Sequence, residues 1–242
     1  MSVPASGEIS DQHFDSLRLY VLTPIQKAGD LAETEFTEVT AEQQALKEFI
    51  NRISALTPTS SSAQLIPTKR IAHSPSPELR QVKEAYEETI MAVEHHTDVY
   101  NQSMREDFAE ELGDSLANEV FADADVLTDQ LKQSLILTSY QRVSERKAFN
   151  SDLTAELDAL RTYEQRLDDV LWNLEGCRIS NSDQSEVLNN LEKLAEERQA
   201  ARQDAQTYRS RDPIYSYLYK TEPWTYPVLT AIGRFRSVLT VD

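Results

Sequence analysis

Apolar residues recur at helical spacing along most of the chain, and the pattern is most regular in the segment 128–176. This segment has no internal proline or glycine, Thr128 suits an N-cap, and Gly176 suits the position just beyond a helix C-terminus. Four of its leucines follow one another at seven-residue intervals: Leu153, Leu160, Leu167 and Leu174. A continuous helix here would span roughly 70 Å and needs partners along its apolar stripe. The pattern therefore predicts an all-α fold, an elongated helical bundle with long, coiled-coil-like antiparallel helices around this spine helix.

The N-terminal region supplies the first partner for the spine helix. Residues 1–12 are small and polar and are expected to form a flexible tail. A long N-terminal helix is predicted within 13–57, with Thr23 as an N-cap and Pro24 at the first helical position.

The next segments predict a linker followed by a helical bundle. Residues 58–76 are rich in proline and serine and read as the linker. The bundle is assigned to 77–211 and includes the spine helix. Its first helix begins after Ser76 and carries apolar residues as far as Tyr100, so it is predicted to end near Asn101. Two short helices follow, separated by Gly113, and a last helix returns over 181–211.

The leucine repeat has two interpretations. It favours a helical hairpin within one chain, because repeats of this kind pair within a chain more often than between chains. An intermolecular zipper is the alternative, and it would make the protein a homodimer.

The C-terminal segment 212–242 is different in composition, being aromatic and locally basic. We interpret it as a helical cap packed on the bundle, because tyrosine and tryptophan combine an apolar body with one polar group. Stacking on nucleic-acid bases is the alternative. The candidate interaction or cap residues are Tyr217, Tyr219, Trp224, Tyr226 and Arg234.

Charge narrows the classes of partner. The chain has 41 acidic residues against 24 lysines and arginines, a net charge of -17. Such a surface repels nucleic acid and anionic lipid, so we expect protein partners or self-association. The excess of acid and the scarcity of lysine are typical of proteins that work in a high-salt cytoplasm, where charge repulsion is screened.

The sequence offers one polar cluster with catalytic potential: Glu94, His95, His96 and Asp98. Adjacent histidines on a helix diverge by about 100°, so His95 and His96 do not suit one metal ion, and the HExxH spacing is absent. We expect these residues to be structural or surface groups, with a metal site completed by another helix as the alternative. No glycine-rich phosphate loop occurs, and we predict no cofactor and no catalytic residue.

Three stretches of the chain are distinctive: AEQQALKEFINRI, VKEAYEETIMAVEHHTDVY and YSYLYKTEPWTYPVLTAIGRFR. They resemble a haloarchaeal family of helical proteins that forms a domain of unknown function, and the resemblance runs from about Pro24 to Leu239. It implies an all-helical soluble protein of a high-salt cytoplasm and transfers no activity, cofactor or site residue.

These observations favour a non-catalytic protein-interaction or scaffold module. A metal-dependent enzyme using the region of His95 and His96 is the first alternative, and a transcriptional regulator that reads DNA through the basic C-terminal segment is a weaker one. The N-terminus lacks a signal-peptide pattern and no apolar run is long enough for a membrane span, so we expect a cytoplasmic protein.

Overall fold

The protein is described by a computed structural model, which places residues 11–58, 76–94, 103–122, 126–175, 181–208 and 214–240. Eight α-helices and no β-strand occupy this part of the chain, so the all-α, helical-bundle prediction is confirmed. The helices are α1 (Asp11–Ala55), α2 (Pro77–Thr89), α3 (Met104–Leu112), α4 (Asp114–Phe121), α5 (Asp129–Glu175), α6 (Asn181–Tyr208), α7 (Ile214–Leu218) and α8 (Pro227–Leu239). None of these described helices is apolar enough over a sufficient length to cross a bilayer.

The chain divides into two compact units. The central unit is Phe36–Ser151, and the terminal unit combines residues 11–35 with the described residues from 152 to 240. Helices α1 and α5 contribute residues to both units. The predicted tail 1–12 and linker 58–76 lie largely outside the described residues.

The spine helix predicted from the leucine repeat is α5, whose bounds differ from the prediction by one residue at each end. Its N-terminus is capped as expected, since the Leu131 amide donates to Thr128 Oγ1 at 3.1 Å. Gly176 lies outside the described residues. The repeated leucines 153, 160, 167 and 174 are all buried within the single chain. This burial agrees with the intrachain interpretation of the repeat, because a zipper between chains would need them exposed.

The predicted helix start at Thr23 and Pro24 is wrong. Helix α1 begins at Asp11 and contains Pro24 in its interior. An interior proline has no amide hydrogen and leaves the carbonyl four residues earlier without its helical donor. That carbonyl belongs to Tyr20, and Arg234 Nη1 donates to it at 2.9 Å. The helix therefore continues through a proline because a side chain of α8 replaces the missing donor.

Helix α2 begins as predicted but ends earlier. Ser76 Oγ accepts a hydrogen bond from the Leu79 amide at 3.1 Å, and Pro77 occupies the first turn. The predicted end near Asn101 is wrong, because α2 stops at Thr89. The carbonyl of Tyr86 accepts from both Ile90 and Met91, at 3.0 and 3.2 Å, and the chain leaves the helical path there.

The junction between α3 and α4 lies at Gly113, as the sequence predicts. Ser103 and Glu106 form a reciprocal capping box at the start of α3. Gly113 then adopts a φ of 100°, a backbone conformation that glycine enters without the steric cost of a side chain. The two short helices change direction at this residue and pack against one another.

Within the terminal unit, α1 and α5 run antiparallel. Arg18 pairs with Asp168, and Arg161 pairs with Glu33 at 2.8 Å, so residue numbers rise along α1 as they fall along α5. Helix α6 packs against α8. This arrangement brings the C-terminal aromatic residues against the inward faces of α5 and α6.

The central unit has an aromatic core. Phe49, Tyr86, Phe108 and Phe121 form a chain of ring contacts with centroids 4.6–5.6 Å apart. The ammonium of Lys83 lies 4.7 Å from the ring centroid of Phe121. Helices α1 and α5 are also antiparallel here, since Arg146 pairs with Glu42 at 2.7 Å and Asn150 donates to Thr40 at 3.1 Å.

Candidate functional site

The terminal unit contains a buried ion pair between Arg198 of α6 and Glu156 of α5. The side chains are 7% and 4% exposed, and Arg198 Nη2 lies 2.7 and 2.6 Å from the two carboxylate oxygens. Charges removed from water are tolerated only when they are paired closely. The pair therefore fixes α6 against α5 at one register.

Aromatic rings enclose this ion pair. The guanidinium carbon of Arg198 lies 5.7 Å from the ring centroids of both Tyr163 and Tyr215. Tyr219 is buried, and its hydroxyl donates to Glu156 Oε1 at 3.4 Å. The positive charge thus lies near two π faces, and the negative charge accepts an additional hydrogen bond.

Burial and neighbouring charges shift the pKa values of one arginine and two tyrosines in this cluster. Burial would lower the pKa of Arg198, but the charge and hydrogen bonds of Glu156 outweigh it and leave the pKa above its ordinary value. Burial, followed by the negative charge of Glu156, raises the pKa of Tyr219 well above that of a free phenol. Burial also raises the pKa of Tyr163. At neutral pH Arg198 is therefore charged, and Tyr219 and Tyr163 are neutral.

Three of the candidate C-terminal residues extend this cluster. Tyr219 packs against Trp224, with ring centroids 5.2 Å apart, and Trp224 is half-buried. Tyr215 stacks on Tyr219 at 6.4 Å and meets Tyr226 edge-on at 6.0 Å. The structure therefore brings Tyr219, Trp224 and Tyr226 together beside the ion pair.

The other two candidates make separate contacts. The Tyr217 hydroxyl donates to Glu35 at 3.0 Å, and its ring is half exposed. Arg234 places its guanidinium carbon 4.9 Å from the Tyr20 ring centroid, in addition to its bond to the Tyr20 carbonyl. Tyr217 and Arg234 therefore anchor the C-terminal segment to α1 rather than to the ion pair.

The indentation beside the cluster is too narrow for a small molecule. It has about 170 Å³ of space, part of it open solvent, and does not enclose a water molecule. Its lining residues are Arg198, Tyr215, Tyr226, Pro227, Val228 and Leu229. The arrangement stabilises the bundle and positions its surface.

The central unit buries its polar groups differently. The Tyr86 hydroxyl donates to Asp107 Oδ2 at 2.5 Å, and both residues are buried. Arg146 forms a two-pronged pair with Glu111, with both distances 2.8 Å, and a third bond to Glu42. These contacts connect α2 with α3, and α3 with α5 and α1.

Burial and neighbouring groups also raise the pKa values of Tyr86 and Arg146. Burial, followed by the hydrogen bond to Asp107, raises the pKa of Tyr86 far above that of a free phenol. Burial would lower the pKa of Arg146, but Glu111 and Glu42 outweigh it and raise the pKa. Tyr86 is therefore a neutral donor over the whole physiological pH range.

Large apolar side chains are exposed on the outer faces of the helices. In the central unit they are Leu137 and Tyr140, both on α5 and 68% and 56% exposed. In the terminal unit they include Trp172, at 71%, and Leu19, at 64%. Their helices already bury an apolar inner face, so these side chains do not belong to the core of the chain.

The polar cluster around the histidine pair is mostly outside the described residues. Glu94 is exposed in the turn after α2, whereas His95, His96 and Asp98 are not described. Among the described residues, no group of three or more His, Cys, Asp or Glu side chains could hold a metal ion. The metal-site alternative at His95 and His96 stays untested.

Sequence reasoning missed Arg198 and Glu156. A signal was present, because Glu156 is three residues after Leu153 and Arg198 is four residues after Leu194, which places each charge on an apolar stripe. Opposite charges on the buried faces of two helices indicate a buried pair, although the sequence does not say which charges meet.

Comparison with known proteins identifies a family. Neither the search of curated proteins nor the search of solved structures found a match. Residues 23–242 match the family described as Domain of unknown function (DUF7260). This range covers both units and every described helix at least in part. The chain therefore belongs to the DUF7260 family of domains of unknown function.

Proposed function

We propose that this protein is a non-catalytic interaction or scaffold module whose long helices present binding surfaces. The observation that carries the proposal is the exposure of two large apolar side chains of α5, Leu137 in the central unit at 68% and Trp172 in the terminal unit at 71%. Burying a large apolar side chain against a partner releases about 1.5–3 kcal/mol. Exposed anchors of this size on a well-ordered helix suit protein recognition.

Two ion pairs, one buried and one partly buried, support the same proposal. A scaffold needs helices that keep a fixed register, and Arg198 with Glu156 and Arg146 with Glu111 connect helices that are far apart in sequence. Each pair holds α5 against another helix of its own unit, so the outer face of α5 there keeps a constant geometry for a partner.

We extend the proposal to a coiled-coil-like module of a salt-rich cytoplasm. The net charge of -17 and the scarcity of lysine support this setting, because a strongly acidic surface stays hydrated and weakly self-repelling in concentrated salt. The resemblance to a haloarchaeal family points in the same direction.

The alternatives have less support. The metal-dependent enzyme depends on His95 and His96, which lie outside the described residues. The transcriptional regulator depends on the basic C-terminal segment, where Arg234 is engaged with Tyr20. Neither has a described feature that favours it over an interaction module.

Photo-crosslinking in the native cell tests the proposal. A photoreactive amino acid at Leu137 or at Trp172 is expected to give a covalent adduct of higher mass. The matched control is Glu87, which is exposed on α2 among other acids. Adducts at neither apolar position, or equal yields at Glu87, would contradict the proposal.

A further inference from the structure

Beyond the first turn of α5, the outer face of this helix in the central unit carries no acidic residue. Beyond Asp129 in the first turn and its neighbour Gln130, the exposed positions of α5 in this unit follow helical spacing and form one face, which we call the acid-free stripe. The stripe consists of Gln133, Leu137, Tyr140, Gln141, Ser144, Lys147, Ala148 and Ser151. Lys147 is its only charged member. Glu145 lies at the edge, half-buried, with its carboxylate 2.9 Å from Arg142.

Three other helices of the central unit differ from the stripe in composition, whereas the exposed positions of α1 in this unit include one acid, Glu48. The exposed positions of α2, α3 and α4 are rich in acid, as expected for a chain of net charge -17. They include Glu84, Glu87, Glu88, Glu106, Glu110, Asp114 and Glu119. The stripe also holds Leu137 and Tyr140, the large exposed apolar side chains described in this unit. Absence of acid and exposure of apolar groups therefore coincide on one helix face.

The charge of the stripe decides among the possible occupants. A basic partner would be matched by an acidic face, and nucleic acid would need several cations where the stripe has only Lys147. A neutral face is matched by another neutral face. A second copy of the chain offers one, and contact through the stripes keeps the acidic surfaces of two strongly negative molecules away from the interface.

The shape of the stripe suits contact between two helices. Ser144, Ala148 and Ser151 are small and allow close approach of a second helix, and Leu137 and Tyr140 supply apolar area. Gln141 Nε2 donates to Glu145 Oε1 at 3.1 Å within the chain. The other donors and acceptors of the Gln133 and Gln141 amides allow identical copies to hydrogen-bond to one another across a two-fold axis.

We propose that two copies of this protein associate through their acid-free stripes, with α5 of one copy packed against α5 of the other about a two-fold axis. This inference rests on the proposed interaction function and names its partner. The stripe is about 27 Å long at 1.5 Å per residue, and one helix face buries less than the roughly 1,600 Å² of a standard interface. The dimer is therefore weak and reversible.

Salt strengthens this dimer. The two chains repel each other through their acidic surfaces, and that repulsion is screened as ionic strength rises. Contact between apolar side chains is itself favoured by salts that are excluded from protein surfaces. Dilution of salt therefore raises the dissociation constant, the reverse of the behaviour of an ion-paired interface.

Sedimentation equilibrium of the purified full chain tests the inference, over micromolar to millimolar protein in several-molar KCl. The native chain is expected to approach the dimer mass as concentration rises. Leu137→Glu places an acid at the centre of the stripe and is expected to weaken association at least about tenfold. Lys147→Glu is expected to weaken it less, with a larger effect at lower salt.

The matched control is Val238→Glu, which adds the same charge at an apolar position of α8 that is 40% exposed and lies outside the stripe. It is expected to leave the dissociation constant unchanged. Circular dichroism of each variant checks that the helices persist. A native chain that stays monomeric throughout overturns the inference, and so does a dimer that Val238→Glu disrupts and Leu137→Glu does not.

The outcomes separate this inference from the proposed function. A monomer whose Leu137 still crosslinks to another protein in cells overturns self-association and leaves the interaction function standing. A monomer that crosslinks to nothing overturns both.

Discussion

The terminal and central units bury charge in different ways. In the terminal unit, Arg198 and Glu156 are almost completely enclosed, and each is the other's charged partner. In the central unit, the enclosed carboxylate of Asp107 accepts from the neutral hydroxyl of Tyr86, while the arginine, Arg146, is 20% exposed. A buried ion pair fails badly when one partner is lost, because the other charge remains without compensation. The loss of one polar group should therefore lower the free energy of unfolding by different amounts in the two units.

The outer face of α5 shows a second difference between the units. In the central unit its exposed positions beyond the first turn form the acid-free stripe. In the terminal unit the exposed positions of the same helix include Asp158, Arg161, Arg166 and Asp169. Charged side chains keep a face hydrated, whereas the stripe is less costly to dehydrate. We therefore place self-association on the central part of the helix.

The largest expected effect is in the terminal unit. Arg198→Leu leaves Glu156 buried without its partner and is expected to lower the free energy of unfolding by about 3–5 kcal/mol. Urea unfolding at a fixed KCl concentration measures the loss. The double variant Arg198→Leu with Glu156→Leu removes both charges and should recover most of the stability. A loss below about 1 kcal/mol in the single variant would contradict the assigned burial.

The corresponding change in the central unit should cost less. Tyr86→Phe removes one donor from Asp107 and is expected to lower the free energy of unfolding by about 1–3 kcal/mol. Tyr140→Phe is the control, since Tyr140 is exposed, and it should change stability by less than about 0.5 kcal/mol. Equal losses in the Tyr86 and Arg198 variants would remove the contrast between the units.

Alkaline pH tests the buried tyrosines of both units. The pKa values of Tyr86 and Tyr219 are raised in the folded protein, so the unfolded chain loses these protons first, near its ordinary value of about 10. The stabilising contribution is complete below about pH 10 and declines above it, by up to about 1.4 kcal/mol per pH unit for each tyrosine. Unfolding measured on either side of pH 10 should show this decline. Tyr86→Phe should reduce its slope, because this variant removes one of the two tyrosines.

The smallest effect is expected for exposed ion pairs. Arg161 lies 2.8 Å from Glu33, but the two side chains are 63% and 58% exposed. Water and salt screen such a pair, so Arg161→Ala should change the free energy of unfolding by less than about 0.5 kcal/mol. The same unfolding experiment measures it. A loss as large as that of Arg198→Leu would mean that exposure does not govern the strength of these pairs.

Sequence patterns predicted local structure well where one residue controls it. The leucine repeat and Thr128 located α5, Ser76 and Pro77 located the start of α2, and Gly113 located a junction. These signals work because capping, φ restriction and helical periodicity act over a few residues. The Thr23 and Pro24 signal misled for the opposite reason. The donor that replaces the missing amide of Pro24 is Arg234, more than two hundred residues away.

The candidate site residues show the same limit of local sequence patterns, which do not predict contacts between distant residues. Composition indicated an aromatic C-terminal segment that packs on helices, and Tyr219, Trp224 and Tyr226 do lie together. The charges at the centre of that cluster come from α5 and α6, and no local pattern states which residues of two helices meet. The acid-free stripe was also hidden in sequence, because it becomes visible only when exposed positions are separated from buried ones.

The most direct test of self-association through the stripe measures a distance between two copies. A nitroxide label attached at Ser144→Cys, in a Cys177→Ser background, gives one spin per chain. Dipolar coupling measured by pulsed electron spin resonance therefore arises only between associated copies. Packed helix axes lie about 8–10 Å apart, and we predict coupled spins less than roughly 30 Å apart at high protein concentration in concentrated KCl. A trace without coupling, at concentrations where the native chain should be dimeric, would contradict association through α5.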